Sequence, residues 1–115
     1  MKLTLEAERP EAPTGPTPTV LEAIVRQLCI SVTYNRTRMI LGPHILYTRN
    51  DALYVDASVV SREGMLPREP KLGTYKLDGL NDLKLIERPF DRSDLFDPSA
   101  EKYAGVTLMA IEPAA

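Results

Sequence analysis

Residues 38–60 constrain the fold of this chain more than any other stretch. They run Arg38-Met-Ile-Leu-Gly-Pro43-His44-Ile-Leu-Tyr47-Thr-Arg-Asn50-Asp51-Ala-Leu53-Tyr54-Val55-Asp-Ala-Ser-Val-Val60. Two runs rich in β-branched and aromatic residues flank Asn50-Asp51, a pair that tolerates the positive φ of a tight hairpin turn. In the second run Leu53, Val55, Ala57 and Val59 fall on one face, and Tyr54, Asp56 and Ser58 on the other. Proline cannot donate to a ladder, so Gly42-Pro43 marks an edge, a bulge or a bend.

Short β-like runs continue on both sides. Ile30, Val32 and Tyr34 alternate with Ser31 and Thr33, and Asn35–Arg38 reads as a polar turn before a strand over Met39–Thr48. Ser61–Pro70 is a loop of a length suited to a lid or binding loop. Strands are expected over Lys71–Leu77 and Leu83–Glu87, with Asp78-Gly79 as a turn and Phe90 as a plug at the end of a barrel. Asp97-Pro98 resembles a helix start, predicting a short helix to Ala104 and a last strand over Val106–Ile111. Ahead of the strands, Val20, Leu21, Ile24, Val25 and Leu28 share one face of an amphipathic helix over 19–28. Thr19 and Glu22 have the spacing of a capping box there.

With 115 residues one domain is expected. Residues 1–18, with Pro10, Pro13, Pro16 and Pro18 among polar residues, read as a flexible tail that pairs at most briefly with a sheet edge through Lys2–Leu5. Residues 19–115 read as the domain, with a helix-strand extension at its end. The expected fold class is mainly β with flanking helices (α+β): a small SH3/Sm-like antiparallel barrel preceded by one amphipathic helix.

The net charge of −2 gives no general pull toward nucleic acid or an anionic membrane, although a local basic cluster can still hold a phosphate. No apolar run approaches the ~18 residues of a membrane span, and the opening lacks a signal peptide's apolar core, so a cytoplasmic protein without membrane contact is expected. Cys29 and His44 are each the only residue of their kind. A disulfide framework, a zinc centre and a triad are therefore not expected; neither metal nor cofactor is called for. Asp91, Asp94, Asp97 and Glu101 read as a solvated acidic face. A polar surface made of Tyr34, Arg36, Arg38, His44, Tyr47, Tyr54, Arg62 and Lys76 is the candidate ligand site, because arginine holds phosphate bidentately and tyrosine offers a ring face and a hydroxyl.

The order of helix, strand ending in Tyr34, Arg38, Pro43-His44 and Leu53-Tyr54-Val55 resembles the WYL domain, an Sm-like β-barrel of bacterial transcriptional regulators. The resemblance covers about residues 19–90. The family's naming triplet falls on Leu53-Tyr54-Val55, where Tyr54 is identical. The later family strand Arg-Thr-Phe-Arg-Leu-Asp-Arg-Ile falls on Gly73-Thr74-Tyr75-Lys76-Leu77-Asp78-Gly79-Leu80, where Thr74, Leu77 and Asp78 are identical and Gly73 and Gly79 replace two arginines. The usual helix-turn-helix domain does not accompany it in this chain. The resemblance implies a non-catalytic regulatory module that senses an anionic ligand such as a nucleotide or single-stranded nucleic acid. The alternative is a structural module that uses the barrel to meet a protein partner or a second copy of itself.

Overall fold

The computed structural model describes residues 15–112, so the expected tail pairing at Lys2–Leu5 lies outside the described residues. Among the described residues one α-helix, α1 (Pro16–Arg26), leads into six strands: β1 (Leu28–Tyr34), β2 (Thr37–Arg49), β3 (Ala52–Arg62), β4 (Leu72–Lys76), β5 (Asn81–Pro89) and β6 (Thr107–Ala110). They form one antiparallel sheet in the order β4-β3-β2-β1-β5, with β6 joined to β2. Short 3-10 turns at Leu77–Gly79 and Glu101–Tyr103 complete the structure.

The helix starts three residues earlier than the pattern predicts, and the capping box is a misreading. Gly15 stands at the N-cap without a side-chain cap, with proline in the first turn. Pro16 and Pro18, at the first and third helical positions, carry no N–H to leave unpaired, and the fixed φ of Pro16 suits a helix start, so the helix opens without a side-chain cap. Thr19 lies inside it and donates its hydroxyl to the Gly15 carbonyl at 3.4 Å. Val20, Ala23 and Ile24 face the sheet, while Val25 is exposed.

Asn50 and Asp51 both take positive φ, at 50° and 65°, and close the β2–β3 hairpin. Only Asn35-Arg36 forms the β1–β2 turn; Thr37 and Arg38 already pair with Tyr34 and Thr33. Pro43 does not end β2. The β1 ladder reaches Leu41, the β6 ladder begins at Ile45, and Pro43 stands between them, opposite Ala57 on β3. A register shift falls at Pro43/Ile45, so a residue without an N–H occupies the place where β2 changes neighbours.

The expected helix after Asp97-Pro98 is absent. Asp97 Oδ1 instead accepts from the Ser99 N–H at 3.0 Å and the Ser99 hydroxyl at 2.7 Å. This Asx turn competes with helical backbone, so only the Glu101–Tyr103 turn forms before β6. Phe90, Phe96, Tyr103 and Ile111 are nonetheless buried, so residues 90–111 lie as a strap over the β2–β3 side of the core.

On strands separated by two others, the Tyr34 and Tyr75 rings meet edge to face at a centroid distance of 5.0 Å. Adjacent strands are about 4.8 Å apart in a flat sheet, which would hold these two strands some 14 Å from each other. The contact therefore shows a sheet that curls strongly toward its concave side.

Candidate functional site

The strap is fastened by two buried polar groups. The first is Asp56 on β3, only 2% exposed despite its place on the polar face of the strand. Its Oδ1 accepts from the Tyr47 hydroxyl and the Thr74 hydroxyl, each at 2.8 Å. Its Oδ2 accepts from Lys102 Nζ at 2.9 Å and the Tyr103 hydroxyl at 2.5 Å. Burial pushes this carboxyl up, but the bonds from Tyr103, Lys102, Tyr47 and Thr74 together outweigh it and hold it below its ordinary value. Tyr103 is driven strongly upward by burial and by the charge it donates to.

The second is His44, fully buried between the Phe90 and Phe96 rings at 5.0 and 5.2 Å. Its Nδ1–H donates to the Gly42 carbonyl at 2.7 Å, and its Nε2 accepts from the Ser93 N–H at 2.9 Å. These partners admit only the neutral ring with the proton on Nδ1. Burial lowers its pKa; the Gly42 bond opposes that shift in part.

The eight residues read as a ligand surface do not come together. Tyr47 and His44 are buried in the strap contacts. Tyr54 stacks on Tyr47 at 6.2 Å, with Arg49 over it at 5.5 Å and Lys76 opposite it on β4. Arg38 lies on the outer face, donating to the Thr33 and Ser31 hydroxyls at 2.8 and 2.6 Å. Arg36 is exposed in the β1–β2 turn. Of the eight, Tyr34 and Arg62 line one groove of about 730 Å³ between the β1–β2 turn and the β3–β4 loop.

That groove is the candidate site. Met39, Val59 and Tyr75, the last residues of the core at this end, form its floor. Met65, Leu66, Pro67 and Pro70 form an apolar wall, with Arg62, Arg68, Lys71 and Glu69 around it. The wall is set by a tight turn: Glu63 and Gly64 take φ of 52° and 78°, and Arg62 and Met65 exchange two backbone hydrogen bonds. Among the described residues the ion pairs are Arg26 with Glu22, Arg26 with Glu87, and Lys102 with Asp56, so none involves the three cations of the groove. Within the sequence, the length of the 61–70 loop was the only signal for Arg68 and the apolar wall. Nothing local marked Asp56, whose four partners come from three separate segments: β2, β4 and the Glu101–Tyr103 turn.

Gly73 and Gly79 acquire a physical explanation here. A Cβ at Gly73 would stand 2.6 Å from the Tyr75 hydroxyl oxygen and 2.8 Å from its Cζ, and one at Gly79 would stand 2.9 Å from Tyr34. Each glycine is the seat of one ring of the pair beside the groove. Tyr75 is 7% exposed and cannot swing away freely. Gly73→Ala is expected to cost about 1–3 kcal/mol, measured by urea unfolding. Gly73→Arg, the residue of the resembling family, is expected to cost more.

Among the described residues no group of three or more His, Cys, Asp and Glu is placed to hold a metal, and no helix is long and apolar enough to cross a membrane. Comparison with known proteins yields no match: no protein-family model, curated protein or solved structure matches this chain.

Proposed function

We propose that this chain is a non-catalytic binding module of WYL type, built on a small SH3/Sm-like barrel, which takes an anionic ligand in the Tyr34–Arg62 groove. The barrel reading is supported by the strand order β5-β1-β2-β3-β4 behind the helix α1, and by the Tyr34–Tyr75 contact across the curl. The binding reading rests on one observation: three cations without ion-pair partners among the described residues border a cavity with an apolar floor. The volume lies within the roughly 300–1,000 Å³ of ligand sites. A nucleotide or nucleic-acid fragment is the ligand that the resemblance implies, and transcriptional regulation in the cytoplasm is the corresponding role.

The test is fluorescence anisotropy with a labelled oligothymidylate and calorimetry with ATP, comparing wild type with the triple variant Arg62→Ala, Arg68→Ala, Lys71→Ala. Affinity is expected to fall at least about tenfold. For the oligonucleotide, the salt slope should also fall by about 0.7 for each phosphate that is no longer neutralised. Lys76→Ala, away from the groove, serves as the control. Measurable wild-type binding that the triple variant retains unchanged defeats the groove assignment.

A protein-interaction role has its own supporting observation. Met65 and Leu66 are 71% and 75% exposed, the two most exposed large hydrophobic residues described.

A further inference from the structure

The groove has features that discriminate between anions. Binding a nucleobase by stacking needs an open aromatic face. Tyr75 is too buried to supply one, and its ring lies against Gly73 and Tyr34. Tyr34 is only partly buried and is seated between Gly79 and Tyr75, so at most one ring remains for a base to stack on. What the groove presents most openly is aliphatic: Met65 and Leu66, 71% and 75% exposed, stand at the side above a floor of Met39 and Val59 that is as buried as Tyr75. Methionine adapts its shape to an incoming side chain, and Pro67 and Pro70 stiffen the wall so that little entropy is lost when it is covered. Around this surface the lining carries Arg62, Arg68 and Lys71 against the single carboxylate of Glu69. The complementary ligand has an apolar centre and a negative periphery.

We propose that the groove docks an acidic peptide segment of a partner protein, whose large apolar side chain packs on Met39, Val59 and the Met65–Leu66 wall while flanking carboxylates meet Arg62, Arg68 and Lys71. This rests on the groove being the binding site and names its partner. An interface of this size gathers its affinity in one anchor, with charges that steer approach and select the partner. The exposed Met65-Leu66 pair gains its cover only in the complex.

The experiment probes the full chain against an array of synthetic heptapeptides. The central residue is Leu, Phe or Ala, and the flanks are random mixtures of Asp and Glu, of Asn and Gln, or of Lys. The strongest peptide then goes to anisotropy titration beside ATP and the oligothymidylate. Acidic peptides with a Leu or Phe centre are expected to be selected. Replacing that centre by Ala, or the flanking carboxylates by amides, should weaken binding at least about tenfold. The double variant Met65→Ser, Leu66→Ser should lose binding to the same degree with an unchanged melting temperature, since both side chains are exposed. If the oligonucleotide or ATP binds through the groove cations and no acidic peptide is selected, the peptide proposal is overturned and the groove assignment stands. If neither class binds, both fall. Selection without preference for an apolar centre, or for basic flanks, also overturns the proposal.

Discussion

Asp56→Ala is expected to lower the stability of the chain by about 3–5 kcal/mol, a shift of roughly 15 °C in melting temperature. The magnitude follows from what the substitution leaves behind. Tyr47 is fully buried and Tyr103 is 4% exposed, so their hydroxyls would lose their acceptor where water cannot replace it. Lys102 would lose its ion-pair partner, at smaller cost, because its side chain is half-exposed. Tyr103→Phe removes one donor and leaves three, so about 1–2 kcal/mol is expected. Combined with Asp56→Ala it should add almost nothing. A triple variant, Asp56→Leu with Tyr47→Phe and Tyr103→Phe, removes acceptor and hydroxyls together and should recover part of the loss. Thermal unfolding of this set is the measurement, and additive losses would show that the four bonds do not act as a unit.

The same carboxyl sets a pH window. Its pKa is lowered in the fold, where the four donors overcome the effect of burial. The folded state therefore releases this proton more readily than the unfolded chain does. Its contribution is complete above the ordinary aspartate value of about 3.9 and is lost as pH falls through the lower folded value. Asp56→Asn should flatten the acid limb of the stability profile.

Asp56 also marks where local pattern reading runs out. Alternation along β3 was legible: Val55, Ala57 and Val59 are buried as their spacing predicts. The same alternation places Asp56 on the outer face, where an acidic residue usually meets water. It is buried because residues 90–111 return across that face, a long-range event with no periodic signature in residues 52–62. The Asn50-Asp51 hairpin and the adjustment at Pro43 were readable because φ preference and a missing N–H act within a few residues. The site is the reverse case. Chemical type alone singles out Tyr34 and Arg62 together with six others, and strand order decides which such residues meet. The curl that joins Tyr34 to Tyr75 depends on glycines at 73 and 79, whose value lies in absent atoms. Compared with the resembling family, those glycines look like lost charges. In this fold they are spaces for rings, and the positive charge lies instead along the β3–β4 loop.

His44 carries the second large effect. His44→Ala is expected to cost about 3 kcal/mol, from the cavity left between Phe90 and Phe96 and the unpaired Ser93 N–H. His44→Gln, which keeps one donor and one acceptor, should cost less. The pH dependence separates a polar fastening from simple packing. The ring is held neutral: Nε2 must accept from Ser93, burial and the nearby Arg92 oppose a positive charge, and only the Gly42 bond and distant Asp56 favour one. With the folded pKa lowered, the unfolded chain binds the proton first as pH drops below about 6.5. Stability should therefore be full above that value and fall as the solution is acidified, approaching about 1.4 kcal/mol per pH unit until the folded ring itself titrates. His44 is the only histidine in the chain, so this slope belongs to one group. Urea unfolding from pH 8 to pH 5 should show it in the wild type and not in His44→Gln. Hydrogen exchange at Ser93 and at Ile111, whose N–H donates to the His44 carbonyl at 2.8 Å, should accelerate over the same range. A wild-type profile as flat as that of the Gln variant would mean that the ring holds the strap by packing alone.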